Sequence, residues 1–179
     1  MSLFLDIETD FHQNITVLGF YSESTGFQQI VGRDITKARI SRLLPKPIIK
    51  DPGEAAGPNL RGLYTFNGHC FDLPVIRKRL GLDLREKYDS IDLRYLCKKQ
   101  GLAGGQKAIE KMLGIGRDLP DMDGRDALYL WHNYIEYGSI GSLNTLLAYN
   151  QEDVMNMVRI KEIVEKMSNA IKPYQVYVV

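Results

Sequence analysis

Three short segments of this 179-residue chain place carboxylates where they could do chemistry. The first is Leu5-Asp6-Ile7-Glu8-Thr9. In a strand, residues i and i+2 point to the same side, so Asp6 and Glu8 project together. Burying two like charges without compensation is costly. Either this strand end is open to water or a cation sits there. The second segment is Phe66-Asn67-Gly68-His69-Cys70-Phe71-Asp72. It leaves a strand, turns at Asn67 and Gly68, and puts Asp72 in the first turn of a helix. Complementing the helix dipole would by itself account for an acid there. The third is Tyr149-Asn150-Gln151-Glu152-Asp153. Tyr149 and Asp153 are i and i+4 on a helix and share a face next to an apolar stripe. An aspartate so placed needs a partner, whether a cation, a lysine or a hydroxyl.

Taken together, Asp6, Glu8, Asp72 and Asp153 form an all-oxygen donor set. Such sets suit Mg²⁺ or Mn²⁺ rather than zinc. Two divalent cations would balance the four negative charges. A pair of such ions ~3.5–4 Å apart can activate water and stabilise the leaving oxygen in phosphodiester cleavage.

The elements that must position these residues can be read from patterning. Residues 2–7 form an apolar run without helical period, read as a buried strand. Residues 14–22 alternate, Ser24-Thr25-Gly26 turns, and 27–31 returns, giving an N-terminal antiparallel meander. Asp34 is the expected N-cap of a helix to Leu44, stopped by Pro45 and Pro47. The Pro/Gly-rich stretch 45–62 reads as a loop. A strand over 63–66 precedes a helix over 71–80 that ends at Gly81. A short strand over 88–91 leads into a helix over 92–99. Helices follow over 106–113, 124–137 and about 142–167. The last carries an apolar stripe through Leu143, Leu146, Leu147, Val154, Met157, Val158 and Ile163. The tail 174–179 either pairs as an edge strand or hangs free. The order implies an α/β protein, a mixed sheet with helices packed on it, in a single domain over residues 1–179.

Composition narrows the function classes. A chain that is 44% hydrophobic and 25% charged is an ordinary globular domain. Cys70 and Cys97 form no C-x-x-C pair, and His12, His69 and His132 have no metal-ligand spacing, which argues against zinc and disulfides. Two free thiols fit a reducing compartment, and no apolar run or signal sequence points to a membrane, so a cytoplasmic protein is expected. There is no Gly-Lys-Ser/Thr and no Gly-x-Ser-x-Gly, against a P-loop ATPase and a serine hydrolase. Charge is segregated. Residues 77–117 hold eleven Lys/Arg against five acids, and 118–153 hold seven acids against one Arg. That pattern fits a polyanion groove beside a metal site, or two solvated faces of opposite sign.

The three motifs resemble those of DEDDy-class 3′→5′ exonucleases, found in the proofreading domains of B-family DNA polymerases. The closer resemblance is to YprB-like ribonuclease H-like domains, through Lys107-Ala-Ile-Glu-Lys-Met-Leu-Gly-Ile, Asp123-Gly124 and Leu146-Leu-Ala-Tyr-Asn-Gln-Glu-Asp153. The resemblance spans about residues 3–165. It implies a ribonuclease H-like fold and exonuclease chemistry with two Mg²⁺ or Mn²⁺ ions. By resemblance, Asp6 bridges both metals, Glu8 and Asp153 complete one site, and Asp72 serves the second largely through water. Tyr149 orients the attacking water. The sister class has His-x-x-x-x-Asp, and Ala148 holds that spacing here. Thr9, Asn67 and Phe71 are expected to shape the substrate cleft.

The resulting expectation is a metal-dependent 3′→5′ exonuclease on single-stranded DNA or RNA with a free 3′ end, acting alone or with a separate helicase or repair partner. Phe71 is the expected base-stacking ring, ahead of Phe11, Tyr64 and Tyr149. Lys98, Lys99, Lys107 and Lys111 are candidates to follow the phosphates. A ribonuclease H-type endonuclease and a non-catalytic nucleic-acid-binding module are the alternatives.

Overall fold

The computed structural model describes residues 2–46 and 62–170. Its sheet has five strands: β1 (Ser2–Thr9), β2 (Ile15–Ser22), β3 (Gly26–Val31), β4 (Gly62–Thr65) and β5 (Asp89–Asp92). The spatial order is β3-β2-β1-β4-β5. The first three strands form the antiparallel meander, and β4 and β5 run parallel to β1. Among the described residues, six α-helices flank the sheet: α1 (Lys37–Leu43), α2 (Asp72–Leu80), α3 (Leu93–Lys99), α4 (Gln106–Met112), α5 (Gly124–Tyr137) and α6 (Ile140–Ala170).

The period of two along β1 decides what faces what. Leu3, Leu5 and Ile7 pack with Leu18, Phe20, Ile30 and Leu63 against Ile40 of α1 and Leu73 and Ile76 of α2. Phe4, on the opposite face, packs with Tyr64, Leu93, Val154 and Met157. Both faces of β1 are covered, which is why its sequence reads as a nearly continuous apolar run. Asp6 and Glu8 continue the Phe4 face, under α6.

The buried stripe of α6 includes Leu146, Tyr149, Asn150, Asp153, Val154, Met157, Ile160 and Val164, a spacing of three and four residues. It turns polar at Tyr149, Asn150 and Asp153. Asp6 pairs with Gly19 across β1 and β2. A Cβ on Gly19 would collide with Asn150 Oδ1, so this glycine is what lets α6 approach the sheet over Asp6.

One expectation changes. Asp34 does not cap α1. It lies in a 3₁₀ turn, Gly32–Asp34, and the cap is Thr36, whose hydroxyl accepts from the Arg39 amide at 3.2 Å. Asp34 instead meets the Arg39 guanidinium at 2.9 Å. Both residue types are good caps, but Asp34 is taken up in the 3₁₀ turn and the α-helix begins only after Thr36. A second 3₁₀ turn, Leu84–Glu86, had no distinct signal. Residues 47–61, most of the expected loop, and the tail 174–179 lie outside the described residues.

Candidate active site

Each element delivers its acid for a local reason. β1 carries Asp6 and Glu8 to one side of the sheet, and its register with β2 shifts between Glu8 and Thr9. Such an irregularity re-aims the chain at the strand end. The β4–α2 turn is built around Asn67, whose φ is +60°. Asp92, buried at the end of β5, fastens it. One Asp92 oxygen accepts from the Asn67 amide at 2.8 Å and the other from the His69 amide at 3.2 Å. This turn starts α2 at Asp72, and Asp72 Oδ1 accepts the Ile7 amide at 3.1 Å, between the two acids of β1.

Asp6, Glu8 and Asp153 converge, with one oxygen of each within 4.8 Å of the others. Glu8, Asp72 and Asp153 are buried. Asp6 is half-buried overall. Its Oδ2 accepts from Asn150 Nδ2 at 2.8 Å, and Asn150 Oδ1 accepts from Gln29 Nε2 at 2.9 Å. Asp72 stands beside this group rather than in it, held by the Ile7 amide.

Burial, then the charges of Asp72, Glu8 and Asp153, hold the Asp6 carboxyl well above the usual range. Glu8 is raised by burial and by Asp153 and Asp72. Burial pushes Asp72 up to about 7 and Asp153 up to about 6. The Tyr149 hydroxyl is also raised, by burial and by Asp153, Glu8 and Asp6. These shifts have a common cause: negative charge out of water, with too little positive charge to balance it. Arg117, a cationic group bonded to the cluster, also faces Glu110 and Glu152. An oxygen-only, undercompensated cluster fits a divalent cation.

A cleft of about 540 Å³ opens beside the cluster, lined in part by Asn67, Arg94, Lys107, Tyr149 and Asp153. Arg94 Nη1 donates to Asn67 Oδ1 at 2.7 Å. Lys107 Nζ lies 5.3 Å from the Tyr149 ring centre. Phe71 is 37% exposed at the start of α2. Thr9 is buried at the β1 irregularity. Lys98, Lys99 and Lys111 are exposed. Cys70 and Cys97 are free thiols, the first exposed and the second buried.

Sequence reading missed Asn150, Asp92, Glu110 and Arg117. Asn150 had a usable signal, because Leu146 and Val154 at i−4 and i+4 put it on the buried stripe. Arg117 had none, being one of eleven basic residues in its block.

Residues 3–165 match the family model of the RNase_H superfamily. The chain belongs to that superfamily. The five-strand mixed sheet flanked by helices is its fold here. The solved structure of the family B DNA polymerase from the hyperthermophilic archaeon Pyrobaculum calidifontis superposes with a TM-score of 0.64 at 14% identity. The match covers 92% of this chain and 24% of that one. No curated protein matches the sequence. Membership in this superfamily fits a nuclease acting on nucleic acid. Among the described residues, no helix is long and apolar enough to cross a membrane.

Proposed function

We propose that this protein is a 3′→5′ exonuclease of the DEDDy type, related to YprB-like domains, that hydrolyses single-stranded DNA or RNA from a free 3′ end. The observation that carries the reading is the convergence of Asp6, Glu8 and Asp153 beside Tyr149, with Asp72 held at the Ile7 amide. Asp6, Glu8 and Asp153 would hold one Mg²⁺ or Mn²⁺, and Asp6 with Asp72 a second. Bound there, the two ions would lower the pKa of the attacking water and stabilise charge on the leaving oxygen.

The chain's own residues supply the rest. Asn150 fixes the Asp6 carboxylate through Oδ2. Tyr149 keeps its proton through the working pH range, because burial and the neighbouring carboxylates raise its pKa. Its hydroxyl is therefore a donor that orients water rather than a base. Lys107 and Arg94 line the cleft and would bring positive charge to a phosphate backbone there. Phe71 is exposed enough to stack on a base, Asn67 lines the cleft, and Thr9, buried at the β1 irregularity, would act on substrate only through the shape of that strand end. The described elements and residues 1–179 would act as one catalytic unit in a reducing, cytoplasmic setting that suits two free thiols. A helicase or repair protein would supply the single strand where the substrate is a duplex.

The experiment compares linear with covalently closed single strands of one sequence in Mn²⁺. Loss of the linear strand with the circle intact is expected. Cutting of the circle would place the chemistry with the endonucleases instead.

A further inference from the structure

Arg117 lies just past α4 in chain order, on a stretch that passes beside α6. Its side chain is 5% exposed and that of Glu110 is 1% exposed. Nε donates to Glu110 Oε2 at 2.5 Å, and Nη2 donates to Glu110 Oε1 at 3.2 Å. Nη2 also donates to Asp153 Oδ1. Nη1 lies 3.7 Å from Glu152 Oε2. The guanidinium carbon sits 5.6 Å from the Tyr149 ring centre. A buried guanidinium needs its charge and its fork of donors met. Glu110 takes two of the donors and Asp153 a third, while Nη1 has no hydrogen-bond partner and meets only the charge of Glu152. The bond to Asp153 serves the burial of Arg117 and also has a consequence for the acidic cluster. That bond falls on one oxygen, Oδ1, of the carboxylate that shares the cluster with Asp6 and Glu8.

We infer that Arg117 is a positioning residue that holds Asp153 by Oδ1, so that this carboxylate offers a cation one oxygen, and that it tempers the affinity of the acidic cluster for cations. The inference rests on reading the cluster as a divalent-cation site. Glu110 sets the strength of the effect, since it shares the guanidinium with Asp153. Gln106 ties the two acids further, with Nε2 donating to Glu110 Oε1 at 3.0 Å and to the Asp153 carbonyl at 2.8 Å. Removing the guanidinium charge frees Asp153 to chelate through both oxygens. It also removes a positive charge from within bonding distance of a ligand, where charge pairs interact strongly even at an effective dielectric constant of about 20.

The test is Mn²⁺ binding to the full chain, followed by the electron paramagnetic resonance of free Mn²⁺, with turnover measured alongside. Arg117→Gln is expected to bind Mn²⁺ about tenfold more tightly than wild type and to turn over at least about tenfold more slowly at saturating Mn²⁺, its ligand misplaced. Arg117→Lys keeps the charge and is expected within about twofold of wild-type affinity, without full turnover. Glu110→Gln leaves the guanidinium charge to Asp153 and Glu152 and is expected to weaken Mn²⁺ binding. A residue that merely supports the fold would weaken binding and turnover together. Wild-type or weaker affinity in a folded Arg117→Gln, judged by near-ultraviolet circular dichroism, would overturn the inference. Should that variant not fold, unchanged or tighter binding in Glu110→Gln would overturn it. Wild-type protein that binds no Mn²⁺ would instead sink the reading of the cluster on which the inference rests.

Discussion

Asp6 and Glu8 are adjacent on one face of β1 because of the strand's period of two, and Asp153 meets them because α6 crosses that face. In the metal-free protein this proximity is a liability with a definite pH signature. Asp72 and Asp153 sit at about 7 and about 6 when folded, above the ordinary 3.8. Both are neutral in either state at low pH. As pH rises, the unfolded chain gives up these protons first, so the folded state loses stability from about pH 4 until about pH 7. In EDTA, Asp72→Asn should therefore gain thermal stability over wild type as pH climbs through that window. A melting-temperature difference that is flat or falls across it would contradict the assignment. Tyr149→Phe is expected to reduce turnover about tenfold to a hundredfold, with Mn²⁺ affinity kept, in single-turnover assays. Asp6, Glu8, Tyr149 and Asp153 were legible in the sequence because their spacing matches the element that carries them. Arg117 was not, because its role depends on Glu110 and Asp153, seven and thirty-six residues away.

The elements were legible where a local pattern sufficed. β1 to β3 and α2 to α6 fall within a few residues of their expected bounds, as apolar periodicity and the stops at Gly81 and Gly138 direct. Asp34 does not cap because it is taken up in the 3₁₀ turn Gly32–Asp34, and Thr36, two residues on, is also a capping residue. What patterning could not give is the closeness of α6 to β2. That rests on Gly19, opposite Asp6, where any side chain meets Asn150. Gly19→Ala is expected to cost about 1–3 kcal/mol by overpacking, read from urea unfolding. It should also lower turnover, because Asn150 loses its place on Asp6 Oδ2. A variant as stable and as active as wild type would show that the helix does not position Asp6 through this contact.

At the scale of the whole molecule, the cluster lies beyond the end of β4, where the parallel strands β1, β4 and β5 point and where open α/β sheets place their ligands. The segregation of charge along the sequence is legible here too. Lys107, from the basic block, faces Tyr149 and Asp153, from the acidic one, across a single cleft. Lys107→Gln should weaken single-strand binding and reduce the slope of log affinity against log salt by about 0.7, measured by fluorescence anisotropy in Ca²⁺. An unchanged slope would remove this lysine from the path of the phosphates. The most direct measurement uses 5′-labelled single-stranded DNA and RNA of one sequence, incubated with Mg²⁺, Mn²⁺ or EDTA, with Asp6→Asn as the control. A ladder that shortens from the 3′ end in the metals, and is absent in EDTA and with Asp6→Asn, is the expected result. Intact strands in every metal, from protein that remains folded, would contradict it.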